Sequence, residues 1–212
     1  MSDTKKLATY ESKRDFRKTP EPQDAEVEFD WAEERPIFVI QKHQARSLHY
    51  DLRLEVDGVL KSWAVPKGPS TDPSDKRLAM PTEDHPLAYA DFEGVIPEGE
   101  YGGGTMIVWD RGSYRNLTED KEGEDAFRSL PQQLEDGHVE VWLEGQKLSG
   151  GYALIRTGGG GRARWLLIKM KDDAADARRN PTSTEPQSVK TGRTLEEVRE
   201  QEGEDEDTGP RN

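Results

Sequence analysis

Between Pro36 and Lys171 the chain passes through about eight short segments rich in β-branched and aromatic residues, separated at regular intervals by turn formers. They span 37–42, 48–56, 59–65, 89–92, 105–111, 139–143, 151–156 and 165–170. Asp57-Gly58, between the second and third, is a strong two-residue hairpin signal. Strands this short and this numerous must hide their edges, and closing the sheet on itself removes the edges altogether. The reading is therefore a mainly β fold: an antiparallel β-barrel of about eight strands with a few short flanking helices. The helices fall at about residues 4–16, with Leu7 and Tyr10 on one face, in an excursion over 119–134, and after an N-cap at Thr194.

Composition divides the chain. Residues 1–35 form an N-terminal arm, 36–171 the barrel core, and 172–212 an acidic tail poor in large apolar residues that reads as mostly disordered. No internal repeat is visible. The formal net charge is −13, which argues at first against a nucleic-acid partner. That total is unevenly spread: 116–146 carries nine acids and two bases, and 172–212 carries twelve acids and six bases. Residues 147–171 hold Lys147, Arg156, Arg162, Arg164, Lys169 and Lys171 with no acid, so a phosphate-binding surface can exist locally, the plain alternative being a merely solvated mixed surface. With no cysteine, disulfides and thiol chemistry are excluded, and any metal must be held by His and carboxylates. No apolar run approaches the roughly 20 residues that span a bilayer, and the opening Met1-Ser2-Asp3-Thr4-Lys5-Lys6 is not a signal peptide. No membrane association and a cytoplasmic location are expected.

The chemistry concentrates in residues 41–55. Side chains alternate along a strand, so His49, Asp51, Arg53 and Glu55 share one face while Tyr50, Leu52, Leu54 and Val56 share the other. His43 arrives from the end of the preceding strand, where a hairpin brings it beside His49. Two imidazoles and a carboxylate with open positions suit a catalytic divalent metal, and Arg53 alongside suits phosphate oxygens. The plainer alternative is that this row is the solvated face of a half-buried sheet. Economy favours the site: of four histidines two lie here and a third, His85, sits in a loop, leaving His138 as an ordinary surface residue. Gly99–Gly104 reads as a tight turn, since it lacks the ending of a phosphate-binding loop. Gly158–Gly161 reads as a flexible turn whose flanking Arg156, Arg162 and Arg164 face a sugar–phosphate backbone. Trp63, Trp109, Trp142 and Trp165 read as core or rim residues.

Three longer stretches are distinctive: 38–54 (Phe-Val-Ile-Gln-Lys-His-Gln-Ala-Arg-Ser-Leu-His-Tyr-Asp-Leu-Arg-Leu), 62–69 (Ser-Trp-Ala-Val-Pro-Lys-Gly-Pro) and 97–105 (Pro-Glu-Gly-Glu-Tyr-Gly-Gly-Gly-Thr). Together with 10–22 they resemble the 3′-phosphoesterase domain of bacterial and archaeal DNA ligase D, over roughly residues 5–172. The resemblance implies a manganese-dependent β-barrel enzyme, with Co2+ or Zn2+ as other divalent candidates, that cleans 3′ ends during repair of broken DNA by non-homologous end joining. A phosphodiesterase step would remove a 3′-terminal ribonucleoside, and a phosphomonoesterase step would then remove the 3′-phosphate. It implies His43, His49 and Asp51 as metal ligands. It implies catalytic roles for Arg53, His85, Arg14, Asp15, Glu21, Gln41, Tyr89 and Arg77, with Arg14, Arg53, His85, Arg77 and Tyr89 also contacting substrate. The implied partners are DNA 3′ ends at primer–template junctions or breaks, together with a separate DNA ligase, polymerase or Ku protein, around a monomer in the bacterial or archaeal cytosol. No Lys-x-Asp-Gly motif of an adenylated ligase is present, which reads as a stand-alone form. Two rival readings are a non-catalytic barrel that binds DNA ends or docks repair proteins, and a phosphoesterase acting on a small metabolite. The His/His/Asp/Arg set disfavours the first and the basic 147–171 segment the second.

Overall fold

The computed structural model describes residues 6–23, 27, 29, 31, 35–119, 127–158 and 163–203. Its strands are β1 (Ile37–Gln44), β2 (Leu48–Val56), β3 (Val59–Val65), β4 (Arg77–Pro81), β5 (Gly94–Ile96), β6 (Gly104–Asn116), β7 (His138–Gly145), β8 (Ser149–Thr157) and β9 (Arg164–Lys169). Short helices flank them: α1 (Ala8–Ser12), α2 (Leu130–Asp136), α3 (Pro181–Thr184) and α4 (Leu195–Gly203). Asp57 and Gly58 take φ of 51° and 78°, the paired positive values of a type I′ turn, and so set Val56 opposite Val59. Every strand pairing is antiparallel. The order β1-β2-β3-β4-β9-β8-β7-β6 closes when β6 pairs back onto β1, giving an eight-stranded barrel with β5 added to an edge of β6.

The expected barrel is therefore present, with two local differences. The segment read as a strand at 89–92 belongs to a single 3-10 turn, Leu87–Asp91, that follows Pro86 and precedes the short β5. The strand β4 escaped the sequence reading because its larger apolar residues, Leu78 and Met80, point outward while the small Ala79 is the one buried. Within the 119–134 excursion, residues 120–126 lie outside the described residues. The helix found beyond them, α2, opens on a Ser129/Gln132 capping box and stops at Gly137 with φ 79°.

The sheet is buried on two sides where β6, β1, β2 and β3 run side by side. All eight barrel strands contribute to an interior cluster, among them Phe38, Leu52, Trp63, Ala79, Trp109, Val141, Leu154 and Trp165. A second cluster covers the outside, with Ile37 and Val39 packed against Tyr10, Tyr89, Phe92 and Ile96. This explains why Ile37–Ile40 is an unbroken buried run and not an alternating one.

The tail departs from expectation between 172 and 203, where it is ordered against the barrel. β6 is 13 residues long, and on one edge β5 takes 104–106 while β7 takes 112–116. The tail fills the gap between them: the Val189 N–H donates to the Val108 carbonyl (2.9 Å) and Trp109 Nε1–H to the Glu185 carbonyl (2.7 Å). Val198 of α4 is fully buried, and Thr194 and Glu197 form the expected cap, with the Thr194 N–H donating to Glu197 Oε2 at 2.7 Å. A segment with few apolar residues can be ordered when it satisfies another element's backbone groups, which hydropathy does not register. Two cations of the basic stretch are taken up by the same contacts. Lys147 Nζ donates to the Glu185 carbonyl (2.9 Å), and buried Lys169 pairs with Asp172 (2.5 Å), so these cations hold the tail and present no phosphate surface. Residues 159–162, which include most of the Gly158–Gly161 turn and Arg162, lie outside the described residues.

Fully buried Asp110 closes the β7–β8 turn by accepting the N–H groups of Arg111 (3.0 Å), Gln146, Lys147 and Leu148 (each 2.9 Å). Burial pushes its carboxyl up to about 6, and the four donors oppose that shift. Replacing Asp110 with Ala would strand all four donors, at an expected cost of about 3 kcal/mol or more in urea denaturation. A loss below about 1 kcal/mol would remove Asp110 from this role.

Candidate active site

The β1–β2 register sets His43 directly opposite His49 and Gln41 opposite Asp51, and the β2–β3 register sets Arg53 opposite Ser62. These side chains share the outward face of the barrel wall, yet they are not solvated. Gln41, His43, Asp51, Arg53 and Ser62 are all buried, beneath the N-terminal arm and the 82–92 loop. The row is neither core nor surface, and a buried row of ionisable groups requires partners or a function.

His43 and His49 face each other with ring centroids 4.8 Å apart. His43 Nδ1 lies 3.8 Å and His49 Nε2 lies 3.7 Å from the Asp51 carboxylate. One ligand atom from each of the three falls within 4.8 Å of the others. His49 Nδ1 lies 3.0 Å from the Ser47 carbonyl, which places its proton on Nδ1 and leaves Nε2 free to ligate. His43 Nε2 is buried with no hydrogen-bond partner among the described residues. An orphaned imidazole nitrogen beside a free one and a carboxylate fits a divalent cation, and the donor set is the one expected for transition metals.

Arg53 is the hub. Its Nε donates to Gln41 Oε1 (2.7 Å), Nη1 to Ser62 Oγ (2.9 Å) and Nη2 to Asp51 Oδ2 (3.4 Å), and its guanidinium stands 4.7 Å from the centroid of the Tyr89 ring. Gln41 is itself fixed by donating to the carbonyls of Tyr89 (2.9 Å) and Phe92 (2.8 Å). Burial alone would raise the Asp51 carboxyl, but Arg53, with His43 and His49, reverses this and holds it below the usual range. His85 is locked beside Arg53 by an isolated bridge to Leu60. Its Nδ1 lies 2.9 Å from Arg53 Nη1, which can only donate, and 2.8 Å from the Glu83 carbonyl, which can only accept. Burial, then the charges of Arg53 and Arg14, push His85 well below its ordinary value, so it is neutral near pH 7.

The N-terminal arm supplies the opposite wall. Glu21 accepts from Arg14 Nε (2.9 Å), Thr19 Oγ1 (2.9 Å) and the Tyr89 hydroxyl (2.7 Å). Arg14 also reaches Glu83 (3.2 Å) and stacks 3.8 Å from the Tyr10 ring centroid. Together these groups enclose a cavity of about 170 Å³. Glu21→Ala would leave buried Arg14 with half its counter-charge, and we expect it to cost about 3 kcal/mol in thermal unfolding, with Glu21→Gln costing less. Equal effects of the two would show that shape and not charge matters at this position.

Two implied residues stand apart. Asp15 is held by Arg17 (2.8 Å) on a more exposed turn, and Arg77, at the start of β4, pairs with Asp75 (2.7 Å). Neither lines the cavity. Glu55 closes its row by accepting the Ile37 N–H (3.0 Å), away from the cluster. His138 lies exposed at the start of β7 beside Glu140. Sequence reasoning missed Ser62, Glu83, Tyr10 and Tyr101. Of these only Ser62 carried a signal, as the one polar residue among the outward positions Leu60, Ser62 and Ala64 of β3.

The family model of the DNA Ligase D 3'-phosphoesterase domain matches residues 41–156. The chain is 50% identical over 198 residues to the multifunctional non-homologous end joining protein LigD of Pseudomonas aeruginosa, an alignment covering 92% of this chain and 22% of that protein. It is 48% identical over 172 residues to the protein of the same name from Mycolicibacterium smegmatis, covering 79% and 21%. It is 47% identical over 173 residues to the multifunctional non-homologous end joining DNA repair protein LigD of Mycobacterium tuberculosis, covering 79% and 20%. The chain thus spans about a fifth of the length of the curated relatives it matches. Among the described residues no helix is long and apolar enough to cross a membrane.

Proposed function

This chain belongs to the DNA ligase D 3′-phosphoesterase family, and we propose that it hydrolyses 3′-terminal phosphoesters on DNA with a divalent metal, as an end-cleaning step in non-homologous end joining. The observation that carries the reading is the sharing of Asp51 between a two-histidine ligand set and a buried arginine within one cavity. An ion held by His43, His49 and Asp51 would polarise a phosphoryl oxygen and acidify bound water. We name manganese as the physiological ion, with Co2+ and Zn2+ as the competing candidates.

The chain's own groups divide the remaining work. Arg53, already positioned by Gln41 and Ser62, neutralises charge that grows on the non-bridging phosphate oxygens as water adds and the ester bond breaks. Neutral His85 adds a polar group beside those oxygens without adding charge. Arg14 stands as a second cation on the far wall, held by Glu21 and Glu83. Tyr89 presents its ring to Arg53 while its hydroxyl is committed to Glu21. Gln41 and Glu21 are positioning residues in this scheme, and Asp15 supports the turn that carries Thr19, whose N–H donates to its carbonyl (3.2 Å). Arg77 acts on substrate from outside the cavity. The sequence of events is removal of a 3′-terminal ribonucleoside, then of the 3′-phosphate, leaving a 3′-hydroxyl for a DNA polymerase or ligase recruited with Ku. The protein works as a monomer in the cytosol or nucleoid.

The test is a primer–template bearing one 3′-terminal ribonucleotide, or a 3′-phosphate, incubated with manganese or with chelator. Two successive products are expected with metal and none with chelator. Ends left intact under manganese, cobalt and zinc alike would leave only the reading of a non-catalytic module that binds DNA ends.

A further inference from the structure

The cavity at the metal ligands is small, about 170 Å³, below the roughly 300–1,000 Å³ usual for ligand sites. It suits a phosphate and little else. Beside it lies a wider groove of about 850 Å³, which runs between the β1–β2 turn and the glycine-rich turn 97–104 and reaches Arg199 of α4. The two spaces share His49, Ala45, Ile96, Tyr101 and Gly102 as walls, so a molecule whose phosphate enters the cavity must lay its body in the groove.

Three features of the groove bear on what that body is. The glycine-rich turn is stacked backbone-to-backbone on the β1–β2 turn: a Cβ on Gly104 (φ 143°) would fall 2.2 Å from the Gln44 carbonyl oxygen. Tyr101, in the same turn, is held by its hydroxyl, which accepts from Lys13 Nζ (3.1 Å) and donates to Glu83 Oε2 (3.3 Å), and the residue is still 46% exposed with Lys13 Nζ 4.5 Å from the ring centroid. Finally, the groove carries two exposed cations with little to hold them. Among the described residues Arg46 has no partner, and Arg199 has one loose pair, with Glu196 at 3.9 Å. The acids on the opposite wall are Glu98 and Glu100, the latter within 3.8 Å of Lys18.

We propose that this groove holds the DNA strand whose 3′ end enters the cavity, with Tyr101 as a face for a base and Arg46 and Arg199 contacting backbone phosphates. The inference rests on the phosphoesterase reading for the direction of the strand. It gives the ordered tail a part in substrate recognition, because Arg199 belongs to α4 and is placed by the burial of Val198 one residue before it. An aromatic face flanked by cations is the usual means of holding single strands without reading their sequence.

Anisotropy of a fluorescent 3′-phosphorylated single-stranded oligonucleotide, titrated with the full chain in chelator, tests this without hydrolysis. Arg46→Gln and Arg199→Gln should each flatten the slope of log affinity against log salt by about 0.7, and Arg199→Lys should restore it. Tyr101→Ala should weaken binding roughly fivefold while Tyr101→Phe does not. Slopes and affinities that all match the unmodified chain, or no binding at 50 mM salt by that chain, would overturn the groove. Arginine-dependent binding by a chain that processes no 3′ end would sink the phosphoesterase reading and keep the groove, and the reverse result would do the opposite.

Discussion

His49→Ala is expected to abolish 3′-end processing, by about 10³-fold or more, and to weaken manganese binding, while the thermal midpoint stays close to that of the unmodified chain. The expectation follows from where the side chain sits. His49 is a partly exposed residue on the outward face of β2, and its contacts are the opposed His43 ring, the Asp51 carboxylate and the Ser47 carbonyl. None of these belongs to the apolar clusters that hold the barrel. Its removal takes away the imidazole whose Nε2 is free to ligate, leaving one histidine and one carboxylate, too few to retain an ion against water. Processing at a tenth of the normal rate or better, with manganese affinity unchanged, would show that His49 is not a ligand. Because the fold should persist, circular dichroism and manganese titration separate loss of the ion from loss of the protein.

The second large effect is expected at Arg53. Arg53→Lys keeps one positive charge but cannot reproduce the fork that meets Gln41, Ser62 and Asp51 at once. Turnover is expected to fall by about 10²–10³-fold, the usual consequence of losing one positioned donor to a developing charge. Manganese binding should survive, because His43, His49 and Asp51 are all left in place. Arg53→Ala should do more damage, leaving the buried Asp51 carboxylate with less counter-charge and Gln41 Oε1 without its donor, at about 3 kcal/mol or more of stability. Turnover by the lysine variant within threefold of normal would mean that Arg53 serves the fold alone.

Much of this site was legible in the chain because it is local. The alternation in 48–56 places His49, Asp51 and Arg53 in file, and a short hairpin is enough to bring His43 opposite His49. Resemblance aside, His85 was signalled only by being a histidine in a loop; its place beside Arg53 depends on the Leu60 bridge, which no pattern announces. Arg14 and Glu21 came from resemblance, because the arm reaches the site through tertiary packing of Tyr10 and not through any periodicity. Glu83 and Tyr101 were invisible for the same reason. The barrel was legible from turn spacing, whereas the tail was misread because backbone donors and acceptors are the same in every residue. A segment that fills a sheet edge therefore leaves little trace in its side chains.

The strap of tail along β6 has a consequence for the order in which the protein is made. Synthesis delivers the arm, β1 to β3 and the 82–92 loop before any of β6 exists, so the polar cluster precedes the strand that closes the ring. Ring closure waits for β9 to meet β4, and the free stretch of the β6 edge stays open until residues 185–198 have left the ribosome. The polar cluster is thus laid down early, and the segment that follows β9 both seals the sheet and delivers Arg199 to the rim of the groove.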